Sequence, residues 1–208
     1  MLERFYHILP HTETKYFKNP LHNILEKAQQ RWLNIGAILT EMNVNYIDSL
    51  ETGEDDDIKQ QLSDWWSIEN RETAVETLEW LKNRGHRADF NKRMDTQNLG
   101  SVMKEMGIIF DLSVLENVSI LAWDMGRLVN VARWCYDLKY ISEEEAWDYL
   151  AFAYKRSHVA YGSWNAFATG YLVGRLNWGS LDTDVVRIVA RLLQDEDSPW
   201  VIYPWEVE

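Results

Sequence analysis

Four polar side chains, Asp124, Arg127, Asn130 and Arg133, recur at three-residue steps inside an otherwise apolar stretch, L-A-W-D-M-G-R-L-V-N-V-A-R-W, at 121–134. A carboxylate, two guanidiniums and a carboxamide can move a proton, hold an anion or satisfy one another where water is scarce. On a helix, neighbours in such a row lie within side-chain reach, while the row turns by about 60° per step. Asp124 can therefore pair with Arg127, whereas Arg133 ends far around the axis from Asp124. Trp123 and Trp134 flank the row. Three readings are open. The row can be a buried salt-bridge and hydrogen-bond network that fixes helix register, because charge is tolerated in a core only when paired. It can be a polar pocket between the indoles that recognises a ligand or a partner's carboxylate. It can also be a solvated ridge.

Further candidates lie outside the row. Glu79 and His86 belong to E-W-L-K-N-R-G-H-R at 79–87, and Arg175 belongs to a second Gly-Arg pair, Gly174 and Arg175, which matches Gly126 and Arg127. If the helices that carry the two pairs pack on each other, Arg175 completes the cluster with Asp124. In a cleft, Asp124, His86 or Glu79 would serve as general acid or base, and Arg127 or Arg175 would hold an anionic substrate. A lone His directly after a Gly more often hydrogen-bonds a helix end than catalyses.

Other chemistries find little support. No nucleophile elbow, P-loop, dinucleotide fingerprint or zinc motif is present, and nothing in the chain calls for a cofactor. His7 and His11 flank Pro10, which disfavours the single helix that an H-x-x-x-H metal pair needs. Glu54, Asp55, Asp56 and Asp57 lack the alternating ligands and turn glycine of a calcium loop. No metal site is therefore expected. Ahead of a helix, that acidic cluster suits the positive end of the helix dipole or a contact for a basic partner. Cys135 is the only cysteine, so no intrachain disulfide can form. It reads as a small buried hydrophobe.

The elements that must position these residues are helices. Val114, Val118, Leu121, Ala122, Met125, Val129, Ala132 and Tyr136 form one apolar stripe over about 114–138, and Ile120, Trp123, Val131, Trp134 and Leu138 fall on the other side. A helix apolar on two sides is covered on two sides, so this stretch is the expected buried centre of an all-α, single multi-helix domain. Around it, periodicity predicts helices over 20–33, 35–42 and 58–66, with a loop at 43–53. Asn70 caps a helix over 71–84 that Gly85 ends, and a further helix over 86–95 leaves at an angle. The stretch 96–111 is the least patterned. S-E-E-E at 142–145 is a capping box that opens a helix to about Ala160, with Trp147, Leu150, Ala151 and Tyr154 inward. Helices over 164–178 and from Asp182 or Thr183 to Leu193 follow. Gly170 and Gly174, four apart, offer a groove for close packing, and the tail with Trp200 and Trp205 straps onto the domain. Residues 1–64 are read as an N-terminal helical region packed on a main domain, 65–208.

The chain has 208 residues and a net charge of −12. That charge argues against nucleic-acid backbones and anionic membranes, where basic patches supply the attraction. It favours a basic protein partner. The beginning M-L-E-R-F has no secretory pattern, and no apolar run reaches the roughly 20 residues of a membrane span, so a cytoplasmic location is expected.

E-W-L-K-N-R-G-H-R, L-A-W-D-M-G-R-L-V-N-V-A-R-W, I-S-E-E-E-A-W at 141–147, Ser163 and Trp164, Y-L-V-G-R-L-N-W at 171–178 and D-S-P-W at 197–200 occur in that order. From about Trp65 onward the chain thereby resembles the bacterial domain-of-unknown-function family 1266. The resemblance implies a mainly helical bacterial domain and marks Asp124, Gly126, Arg127 and Asn130 as hallmark positions. It implies no activity. A small acidic chain without a nucleophile motif suits a non-enzymatic interaction module, immunity-like or chaperone-associated, that binds a basic partner. The alternative is an enzyme or effector domain that uses the Asp, Arg, Asn and His cluster in a cleft.

Overall fold

The structure is a computed structural model that describes residues 16–21, 25–53, 57–90, 119–179 and 183–205. The elements are α1 (Lys27–Asn34), α2 (Ala37–Met42), α3 (Ile58–Trp66), α4 (Arg71–Asn83), a single 3-10 turn (His86–Ala88), α5 (Leu121–Asp137), α6 (Glu143–Ala160), α7 (Trp164–Trp178), α8 (Thr183–Gln194) and α9 (Pro199–Ile202). No strand occurs among the described residues. The fold is all-helical and packed around α5. Every residue of α5 from Leu121 to Cys135 is buried, because α4, α6 and α7 lie along it while α2 and α3 close the remaining side. Helix α1 rests on α6, and α8 rests on α2 and α9.

Small residues set how closely these helices approach. The inner face of α6 is Ala146, Leu150, Ala153 and Ser157. Trp147, Ala151 and Tyr154, expected inward, are only half-buried, and Trp147 meets Trp32 edge-on at 6.2 Å. The small side chains win the inner face because α6 lies directly against α5. On α7, a Cβ at Gly174 would stand 2.3 Å from the Cβ of Trp123, so only glycine permits this contact. Gly126 of α5 likewise admits the Tyr171 ring, which an added Cβ would meet at 2.9 Å. The roughly 1 kcal/mol that a mid-helix glycine costs is offset by this packing.

The helix ends are set by local chemistry. The first helix begins at Lys27 rather than near Pro20, because Gln29 reaches back to the Glu26 N–H at 3.1 Å and caps the chain there. The central helix begins at Leu121, with Ser119 and Ile120 outside it. Tyr161 fixes this start: its hydroxyl donates to the Ser119 carbonyl at 2.6 Å and accepts the Ala122 N–H at 2.9 Å. Residues 114–118, which the periodicity assigns to the same helix, lie outside the described residues, as do 96–111. Trp200 is buried and stacks on Trp164 at 4.7 Å, and its indole donates to the Asn34 carbonyl, so the tail closes over the domain.

The capping box at the start of α6 also ties that helix to α4. Ser142 Oγ accepts the Glu145 N–H, and the Glu145 carboxylate accepts the Ser142 N–H at 2.8 Å and both Arg71 nitrogens at 2.7 and 2.9 Å. Arg71 and the Ser142 N–H together hold the Glu145 carboxyl down at about 2, from an ordinary 4.5. A depressed carboxylate pKa adds stability above the unfolded value, and that stability is lost as pH falls through the folded one. Solvent at the pair keeps the effect small. The urea midpoint should therefore fall between about pH 5 and pH 3, and the fall should be smaller in Glu145→Gln than in the wild type.

Candidate functional site

Asp124 has no exposed side-chain surface. Its Oδ1 accepts the His86 backbone N–H at 2.9 Å and lies 3.3 Å from His86 Nδ1. Its Oδ2 accepts the Arg87 backbone N–H and Arg87 Nη1, both at 3.0 Å. Arg87 also donates to the carbonyls of Leu81 and Lys82 at the end of α4, each at 2.8 Å. The chain can settle on this carboxylate because position 85 is glycine. Its φ is +61°, and a Cβ there would stand 2.3 Å from Asp124 Oδ2. The helix expected over 86–95 is thus only the turn His86–Ala88 within the described residues, since Asp124 holds the backbone in a turn.

Asn130 and Arg133 hold other segments. Asn130 Nδ2 donates to the carbonyls of Gly36 and Gly126 at 2.9 and 3.0 Å, and Oδ1 accepts the Thr40 hydroxyl at 3.0 Å. That fixes the turn between α1 and α2 on the central helix. Arg133 is fully buried and donates to the carbonyls of Tyr46, Ser49, Leu50 and Glu51 and to Thr40 Oγ1, at 2.5–3.2 Å. Asp137 accepts the N–H and hydroxyl of Thr52, and the Trp134 indole donates to Asn45. Loop 43–53 has no helix or sheet of its own, and Arg133 and Asp137 satisfy five of its backbone groups, the carbonyls of Tyr46, Ser49, Leu50 and Glu51 and the Thr52 N–H.

Arg127 is different. It is 8% exposed, and its guanidinium lies 4.3 Å from the Trp66 ring, 4.5 Å from Trp123 and 5.3 Å from Trp178. Nη1 sits 3.3 Å from both ring nitrogens of His86. Among the described residues no carboxylate stands at ion-pair distance from it. The expected Asp124 to Arg127 pair does not form, because Asp124 is taken by His86 and Arg87. Arg175 does not join Asp124 either. Gly174 seats on Trp123, and the Arg175 guanidinium lies 6.0 Å from that indole and lines the same cleft as Arg127. Burial pulls the Arg127 pKa down to about 10, which leaves it charged at neutral pH.

Arg127 and Arg175 share a cleft of about 330 Å³. Leu39 and Asn43 line it from the α2 side, Gln61, Leu62, Trp65 and Trp66 from α3, Trp123 and Trp134 from α5, and Trp178 from α7. Trp65 is 71% exposed and Trp178 46% exposed. The surroundings of Arg127 are rich in donors. The buried Trp123 indole N–H and Tyr171 hydroxyl have no acceptor among the described residues. Burial also pushes the Tyr171 hydroxyl pKa up, so it stays protonated. Such a site can bind an anion and stack a flat group.

The other sequence candidates stand apart from the cleft. Glu79 is held by Lys82, Asn83 and Tyr149 at 2.9, 2.8 and 3.1 Å and does not line it. His86 is 26% exposed and packs edge-on to Trp80 beneath Arg127. Burial pushes the Cys135 thiol up to about 12. Asp57 is exposed at the start of α3, whereas Glu54, Asp55, Asp56, His7 and His11 lie outside the described residues. No grouping of three His, Cys, Asp or Glu suited to a metal ion occurs among the described residues. The sequence reading omitted Gln61, Trp65, Trp66 and Trp178. One signal was there: adjacent tryptophans 65 and 66 point about 100° apart on a helix and cannot both face the core.

Residues 61–106 and 94–205 match the family described as "Protein of unknown function (DUF1266)". The chain belongs to this family. The DUF1266 match contains the cleft from Gln61 to Trp178, while Leu39 and Asn43 come from the segment before it. The uncharacterized protein YbeU of Escherichia coli (strain K12) is 28% identical over an alignment that covers 58% of this chain and 57% of YbeU. The chain thus spans a little over half the length of that relative. No solved structure matches the chain. No helix among the described residues is long and apolar enough to cross a membrane.

Proposed function

We propose that this DUF1266 protein is a non-enzymatic binding module whose cleft takes an anionic group against Arg127 and Arg175. The observation that carries this reading is the nearly buried Arg127 guanidinium, which has rings and an imidazole around it but no carboxylate at ion-pair distance among the described residues. A buried charge is costly unless it is paired. The counter-charge is supplied by the ligand. Arg133, more deeply buried still, shows the contrasting solution, with five oxygen acceptors supplied by the protein itself. The cleft volume lies at the small end of the range for ligand sites, about 300–1,000 Å³.

The lining also supports binding over catalysis. The described residues that line the cleft are apolar side chains, indoles, two amides and two guanidiniums, and none of these is a ready acid, base or nucleophile. An immunity-like or chaperone-associated contact with a basic partner is the second reading. It is favoured by the net charge of −12 and by Asp57, exposed at the start of the helix that lines the cleft.

Calorimetry at matched ionic strength tests the proposal with acetate, succinate, phenylacetate, indole-3-acetate and phenyl phosphate. At least one of these anions should bind the wild type and fail to bind Arg127→Met. The proposal is overturned if none binds, or if the variant binds all of them as the wild type does.

A further inference from the structure

We infer that the ligand is a small aromatic carboxylate, with its acid on Arg127 and Arg175 and its ring against the indoles of Trp65 and Trp178 at the mouth of the cleft. This inference rests on the anionic reading of the site and adds the group that carries the charge.

Three observations lead to it. First, Trp65 and Trp178 are among the most exposed large apolar side chains described, and both line the cleft that holds the two guanidiniums. Single exposed hydrophobics are ordinary, but two indoles at the rim of one concavity form a patch of the kind that marks a binding site. Indoles suit flat partners, since offset and edge-on ring contacts add to the area they bury. Second, the rings of Trp66 and Trp123 lie over Arg127 at 4.3 and 4.5 Å. His86 meets Nη1, and a carboxylate is the match for the guanidinium N–H groups that the rings and His86 leave over. Third, the volume of about 330 Å³ admits a one- or two-ring acid more readily than a long chain. A monoanionic carboxylate is also easier to desolvate than a phosphate dianion, and the chain around it carries a net charge of −12. An aliphatic acid would meet the guanidiniums but leave the rim indoles in water. A neutral aromatic would meet the indoles but leave Arg127 without its counter-charge.

Calorimetric titrations with indole-3-acetate, succinate and indole separate the two contributions. Indole-3-acetate should bind the wild type at least about tenfold more tightly than either of the others, since one base-like ring stacked on an aromatic side chain contributes about that factor or more. Trp65→Ala should weaken indole-3-acetate by about tenfold while the melting temperature stays at the wild-type value, because Trp65 is exposed. Arg127→Met should abolish the binding. If succinate binds as tightly as indole-3-acetate, the aromatic inference is overturned and the anion site stands. If indole binds as tightly as indole-3-acetate, both fall. If Trp65→Ala binds indole-3-acetate like the wild type, the ring does not sit at the rim and the inference is overturned.

Discussion

Asp124→Ala should cost about 3–5 kcal/mol of folding stability, the range for breaking a buried charge pair by removing one partner. The carboxylate has no contact with solvent and joins two segments distant in sequence, the central helix and the turn after α4. Its loss leaves the N–H groups of His86 and Arg87 without their acceptor. The Arg87 guanidinium also keeps a largely buried charge with no carboxylate beside it. Gly85 turns from an advantage into a liability, because its positive φ is justified by the close seat on the carboxylate that has gone. Asp124→Asn keeps the shape but removes the charge and an acceptor, so it should lose less. Urea unfolding followed by circular dichroism measures both. A loss below about 1 kcal/mol for Asp124→Ala would mean that the turn is held by other contacts.

Arg133→Met should be comparably damaging, at about 3–5 kcal/mol, for a different reason. No carboxylate stands at ion-pair distance from Arg133 among the described residues, and what it satisfies is backbone. Methionine fills similar space, so the packing loss is small. Four carbonyls of loop 43–53 and the Thr40 hydroxyl would lose their donor, however, and each unsatisfied buried acceptor costs about 1–3 kcal/mol before relaxation. Burial holds the guanidinium pKa down to about 10 and the group remains charged at neutral pH. Arg133→Lys should therefore rescue little, since one ammonium with three donors cannot reach five acceptors spread along a loop. Protease cleavage should concentrate in 43–53 in the methionine variant.

Much of this architecture was legible in the sequence. The two-sided apolar pattern around Leu121 and Val131 required a helix covered on both sides, and α5 is that helix. Ser142 with Glu145 and Asn70 with Gly85 marked ends that the structure keeps, because caps are local chemistry. The paired glycines at 170 and 174 indicated close packing, and Trp123 fills the space at Gly174. Partner choice inside the polar row was not legible. A three-residue spacing brings Asp124 within reach of Arg127, but a turn with a positive-φ glycine competes for the same carboxylate, and that turn is remote in sequence. The same limit hid the cleft. Its walls come from α2, α3, α5 and α7, and periodicity within one helix says nothing about which exposed ring meets which buried cation. The net charge of −12 favours a basic partner, whereas the described residues that line the cleft include two guanidiniums and no carboxylate; a sum over the chain does not describe one concavity.

The most direct comparison is the unfolding free energy of Arg127→Met beside that of Arg133→Met, with indole-3-acetate binding measured on each folded protein. A recognition cation should be dispensable to the fold, because methionine among indoles escapes the desolvation that a guanidinium suffers there. Arg127→Met should stay within about 1 kcal/mol of the wild type, or exceed it, and bind no indole-3-acetate, while Arg133→Met loses several kcal/mol. If Arg127→Met is destabilised as much as Arg133→Met, then Arg127 is one more structural tie in the central helix, and the cleft is not the place where this protein meets its ligand.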